Sequence, residues 1–102
     1  MVRDTASACP DTKIVLGGYS QGGFSVHNAA DDLGSDMDKV SAAVIFGDPL
    51  SHQAVNNIDA SKVKIICHDD DDICNTGALI LPAHLTYAID AADAASFVAS
   101  QL

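Results

Sequence analysis

Tryptophan is absent from this 102-residue chain, and three Phe and two Tyr are its only aromatics. Ala, Val, Ile and Leu must therefore fill whatever core it builds. Cations are scarce as well. Five Lys and Arg face fourteen acidic residues, for a formal charge of −9. That field repels phosphate backbones and anionic lipid, which argues against nucleic acid or a membrane surface as partner. No apolar run approaches the roughly 20 residues of a membrane span. The opening stretch MVRDTASACP lacks the apolar centre of a secretory leader. Cysteine is sparse and odd in number. Cys9, Cys67 and Cys74 allow one pair and one orphan, whose partner is then expected outside this chain.

What is present is globular: 48% of residues are hydrophobic and 19% charged, in a length that suits one small domain over residues 1–102. KIVLGGY, KVSAAVIF and KVKIIC are short apolar runs without polar alternation, predicted as strands buried on both faces. QGGFSVHNAADDL reads as a helix with Phe24, Val26, Ala29, Ala30 and Leu33 on a broad buried face and Gly34 as its stop. DAADAASFVASQL reads as a closing helix, with Asp90 as N-cap and Ala94, Phe97, Val98 and Leu102 on one face. Strands separated by crossovers predict an α/β fold with a parallel sheet, whose chemistry collects at the C-terminal strand ends. Ser20 follows the first predicted strand, Asp48 the second, and the Asp69–Asp72 run the third.

GGYSQGG, residues 17–23, satisfies G-x-S-x-G at Gly18, Ser20 and Gly22. Between an apolar strand and a helical pattern this describes a nucleophile elbow. The serine stands at a sharp turn, the two glycines keep strand and helix from clashing, and the N–H of Gln21 faces the reacting carbonyl oxygen. The bland alternative is a flexible Gly/Ser loop. An elbow serine needs an acid and a base in the chain order Ser, Asp, His. Among four histidines, His27 reads as a helix-surface residue, His52 lies in a polar loop, and His68 ends the third strand beside Cys67. His84, in LPAHLTY, is late in the chain, as the base should be. For the acid, CHDDDDIC offers Asp69, Asp70, Asp71 and Asp72. The run alone also fits a solvated loop or a weak calcium site, though it lacks EF-hand spacing. A bridge between the flanking Cys67 and Cys74 would close a short loop around it, worth about 2–3 kcal/mol.

Taken together, CPDTKIVLGGYSQGG, CHDDDDIC and AHLTY resemble the cutinase family of secreted serine esterases, which includes acetylxylan esterases. The likeness runs over nearly the whole chain. It rests on a Cys eleven residues before the elbow serine, two Cys seven apart around the acid, and a His ten residues after the second. The resemblance implies an α/β-hydrolase sheet and an acyl-enzyme mechanism needing no cofactor or metal. It assigns Ser20 as nucleophile, Asp71 (three residues before Cys74) as acid, His84 as base, Gln21 as an oxyanion-hole donor, and a Cys67–Cys74 disulfide. In the family two further strands and a second oxyanion donor precede this stretch, and a Cys near the N-terminus pairs with the counterpart of Cys9. The chain is thus expected to be the C-terminal part of such a domain, beginning within a helix and secreted as a family trait. Unaided it is expected to be a poor esterase and to self-associate through the edge of KIVL. The expected substrate is a carboxylic ester: cutin-like polyester, short aliphatic ester or acetylated polysaccharide. The ALIL and HLTY segments are expected to line the acyl site, or Leu79–Leu81 to be core. A non-catalytic remnant that folds with a partner is the competing reading.

Overall fold

The computed structural model describes residues 2–9, 11–75, 77 and 80–102. Expectations placed on Met1 and Leu79 lie outside them. Helix α1 (Val2–Ala8) precedes strand β1 (Ile14–Tyr19), helix α2 (Gly22–Leu33), strand β2 (Val40–Phe46), strand β3 (Val63–Ile66) and helix α3 (Ala91–Gln101). Single 3₁₀ turns at Pro82–Leu85 and Tyr87–Asp90 carry the chain into α3. The strands form one parallel sheet in the order β1-β2-β3, with Tyr19 beside Phe46 and Phe46 beside Ile66. All three strands therefore end at one rim, and Ser20, Gly47 and Cys67 leave the sheet side by side.

Helix α2 is the crossover from β1 to β2. Its Val26, Ala30 and Leu33 pack with Met37, Val40, Ala43, Ile45 and Val55 into the core. It ends where Gly34 takes φ +51° and returns its N–H to the Ala30 carbonyl, a conformation that favours glycine. Strand β2 is buried on both faces, as expected for the central strand. Strand β1 is not. Its burial alternates and Val15 and Tyr19 are exposed, because it pairs only with β2 among the described residues and is covered on one face.

Three further expectations are corrected. His27 is not on the helix surface. It is 6% exposed, and its Nε2 lies 2.7 Å from Oδ2 of Asp48, which has no exposed surface. This pair ties α2 to the end of β2, and Oδ1 of Asp48 accepts the Leu50 N–H. Gly23 makes room for it, since a Cβ there would stand 2.6 Å from Asp48 Oδ1. Phe24 is not core either. It points outward beside Ser20. Asp90 precedes α3 but its side chain caps nothing, because its carboxylate accepts from His68 instead. On the closing helix Ala94 is buried, whereas Leu102 is exposed.

Removing one partner of the buried pair should be felt in stability. Asp48→Ala leaves His27 unsatisfied in the interior, at a cost of about 1–3 kcal/mol. Urea unfolding should show this as a lower midpoint, and Asp48→Asn, which keeps an acceptor, should recover part of it.

Candidate active site

Ser20 occupies the turn between β1 and α2 with φ +57°, a left-handed conformation rare for a residue with a Cβ. The turn is held by its own backbone. Ser20 N–H donates to the Phe46 carbonyl and Ser20 C=O accepts from Gly23 N–H, both at 2.9 Å. Gly18 is required sterically, because a Cβ there would meet the Gly22 carbonyl oxygen at 2.7 Å. Gly22 is not: a Cβ there would meet nothing within 4 Å. Of the two glycines in the G-x-S-x-G pattern only the first prevents the clash, and Gly23, outside the pattern, is the second one the fold needs.

The 3₁₀ turn at Pro82–Leu85 brings His84 over the serine. Its Nε2 lies 2.8 Å from Ser20 Oγ, and its Nδ1 lies 2.7 Å from Asp71 Oδ2. A carboxylate can only accept, so Nδ1 carries the proton and Nε2 is left to accept from the serine hydroxyl. Tyr19, next to the serine, stacks on the imidazole with centroids 5.3 Å apart, and its hydroxyl donates to the His84 carbonyl at 2.7 Å. His84 is 2% exposed and Asp71 is fully buried.

Asp71 is the member of the acidic run that turns inward, while Asp69 and Asp70 face solvent. The Cys67–Cys74 disulfide closes the loop around it, and Ser51 Oγ donates to the Cys74 carbonyl at 2.7 Å. Cys9 is a free, exposed thiol. Asp71 Oδ2 also accepts from the Tyr87 hydroxyl at 2.5 Å, and Oδ1 accepts from Ile73 N–H at 3.1 Å. Burial pushes this carboxyl upward. The bonds from Tyr87, His84 and Ile73 together outweigh burial and hold it below its ordinary value, so it is anionic. Burial, then the bond to Asp71, pushes the Tyr87 phenol well above its usual range and keeps it a donor. Among the described residues no three His, Cys or acidic side chains converge as a metal set.

Gly47, just past β2, was not singled out by the sequence beyond closing a strand. Its φ is +60°, and a Cβ there would stand 2.8 Å from His84 Cε1 and 3.1 Å from Asp71 Oδ2. Gly47→Ala should therefore force the imidazole and carboxylate apart. The expected result is a loss of turnover of the order of 10²-fold, the usual effect of a displacement near 1 Å. Steady-state kinetics beside a thermal melt will separate this from unfolding.

A cleft of about 620 Å³ opens beside Ser20, with Gln21, Phe24, Pro49, Ile73 and Ile80 in its lining. Ile80 thus lines the cleft beside Ser20, and Leu81 is partly exposed and not core. Leu85, from HLTY, lines a separate apolar hollow with Phe46 and Tyr87. His52 is exposed in its loop, and His68 stacks on the Tyr87 ring with centroids 4.1 Å apart.

Known proteins resemble this chain in sequence and in fold. A cutinase cut1 from Trichoderma harzianum is 57% identical over 98 residues, covering 95% of this chain and 40% of its own length. A cutinase from Botryotinia fuckeliana is 54% identical over 99 residues, covering 96% of this chain and 49% of its own. The chain thus spans less than half the length of either relative. A solved Trichoderma reesei cutinase in complex with a C11Y4 phosphonate inhibitor superposes with a TM-score of 0.95 at 51% identity, over 98% of this chain and 46% of that one. The sheet is therefore the cutinase-like α/β-hydrolase sheet that the resemblance implies. The family described as Cutinase matches residues 1–102, the full length given. On these grounds the chain belongs to the cutinase family.

Proposed function

We propose that this chain carries the catalytic residues of a serine esterase that cleaves carboxylic esters through an acyl-serine intermediate. The observation that carries the reading is the unbroken relay from Ser20 Oγ to His84 Nε2 and from His84 Nδ1 to Asp71, at 2.8 and 2.7 Å, with Ser20 lining an open cleft. Ser20 Oγ attacks the ester carbonyl carbon while its proton passes to His84 Nε2. The N–H of Gln21, at the head of α2, is one donor to the oxyanion that forms. The tetrahedral adduct collapses, the C–O bond breaks, and the leaving alkoxide takes the proton from His84. Water then attacks the acyl group by the same route and frees the acid and Ser20. Asp71 fixes the tautomer and stabilises the imidazolium, and no step calls for a cofactor.

The apolar lining from Phe24, Pro49, Ile73 and Ile80 supports an aliphatic acyl chain, as in cutin-like polyester or small aliphatic esters, over an acetyl group on a polysaccharide. The full-length protein should hydrolyse a medium-chain p-nitrophenyl ester with kcat/KM at least about tenfold above that for acetylated xylan, since each buried methylene contributes a factor of this order. The reverse preference would assign it to acetylxylan. Secretion belongs to the same proposal, and no described helix is long and apolar enough to cross a membrane. The exposed edge of β1 supports self-association of this chain, which size-exclusion at two concentrations will test.

A further inference from the structure

We propose that His68, held as an imidazolium, is a positioning residue that clasps the segment carrying His84. Both of its ring nitrogens face acceptors that have no proton to give. Nδ1 lies 2.8 Å from the Ala83 carbonyl oxygen, and Nε2 lies 2.5 Å from Asp90 Oδ2. A neutral imidazole has one N–H and satisfies one of these contacts; only the cation satisfies both. The clasp joins three elements: the end of β3, the turn at Pro82–Leu85, and the entry to α3. Ala83 is the residue before His84, so the bond fixes the backbone that sets the catalytic imidazole. The second anchor is Tyr87. His68 stacks on its ring and gives its backbone N–H to the Tyr87 hydroxyl at 3.0 Å, and that hydroxyl in turn donates to Asp71.

The groups facing the ring favour its charge. The hydrogen bond His68 gives to Asp90, then the one it gives to the Ala83 carbonyl, hold it above the ordinary imidazole value. Burial works against them, and the charges of Asp90 and Asp71 add to them. Thr86 Oγ1, 3.3 Å from Nδ1, is a further polar side-chain contact of the ring. A group with a raised folded-state pKa contributes its stability fully below its unfolded value of about 6.5, and loses it as pH rises through the folded value. The clasp therefore opens on the alkaline side, and one of its two bonds is released when the proton leaves.

The inference rests on the esterase reading for its effect on turnover, but its test does not. Nitrogen-15 spectra of the imidazole rings in the full-length protein should show His68 with both nitrogens protonated at pH 6 and titrating above 6.5. The low-field proton of the His84 Nδ1–H···Asp71 bond should shift or broaden over that same titration. Asp90→Asn should lower the titration point. In His68→Gln, whose one donor nitrogen cannot serve both acceptors and does not titrate, the His84 signal should sit at its alkaline position at every pH. Turnover in the native protein should fall about three- to tenfold across the His68 titration, a fraction of what a full displacement costs, and the step should vanish in His68→Gln. A neutral His68 ring at pH 6 would overturn the proposal, as would a His84 signal indifferent to the His68 titration or a step that survives His68→Gln. Absence of Ser20-dependent turnover, with the two spectroscopic responses intact, would instead remove the esterase reading and leave the clasp standing.

Discussion

Ser20→Ala should lower ester hydrolysis by about 10⁶-fold, the scale on which serine hydrolases lose turnover without their nucleophile. The fold should survive, because the turn is held by backbone bonds to the Phe46 carbonyl and from the Gly23 N–H that alanine retains. The residue keeps its left-handed φ, so the substitution adds little strain that serine did not already bear. His84 keeps its bond to Asp71 and its contact with Tyr19. Circular dichroism and the unfolding midpoint should thus be nearly unchanged while turnover falls to background. Turnover retained by a folded variant would mean that another group attacks the ester.

Asp71→Asn should cost turnover about 10⁴-fold, whereas Asn at Asp69, Asp70 or Asp72 should leave it within a few-fold of the native rate. An amide beside Nδ1 lets His84 turn its proton toward the serine, so that Nε2 no longer accepts from Oγ. Only Asp71 of the four reaches His84. The same substitution should alter the response to acid. The Asp71 carboxyl is held below its ordinary value by its hydrogen bonds against burial, so it contributes stability above about pH 4 that is lost as pH falls through its folded value. Native protein should lose more stability than the Asn variant between pH 4 and pH 2. Kinetics on the four variants, with acid titration of the first, test both effects. The largest loss at any other aspartate would displace Asp71 from the site.

The sequence carried the elbow in contiguous residues, and the parallel sheet in three apolar runs, because both depend on local pattern. The choice among four aspartates did not lie in local pattern. It depends on how a disulfide, the Tyr87 hydroxyl and the Gly47 gap turn one carboxylate inward, and those groups come from three separated segments. The resemblance supplied that choice, and it is Asp71 whose Oδ2 lies 2.7 Å from His84 Nδ1. His27 reads as a surface residue, yet it lies on the buried helix face of Gly23, Val26 and Ala30. Its partner Asp48 is 21 residues away, and no helical pattern points to it. Phe24 failed in the opposite sense: an aromatic reads as core, yet this one borders the cleft at the serine. That β1 has a single strand neighbour among the described residues is likewise set by strand order, which an apolar run does not encode.

Covalent labelling measures the central claim most directly. The folded protein, treated with an alkyl p-nitrophenyl phosphonate and analysed by intact mass and peptide mapping, should gain one phosphonyl group, on Ser20. The adduct forms as Oγ displaces p-nitrophenolate at phosphorus, with the hydroxyl proton taken up by His84. Ser20→Ala should gain none, and Asp71→Asn should react far more slowly. An adduct on any other residue, or an unlabelled native protein whose His84–Asp71 proton signal is intact, would contradict the account.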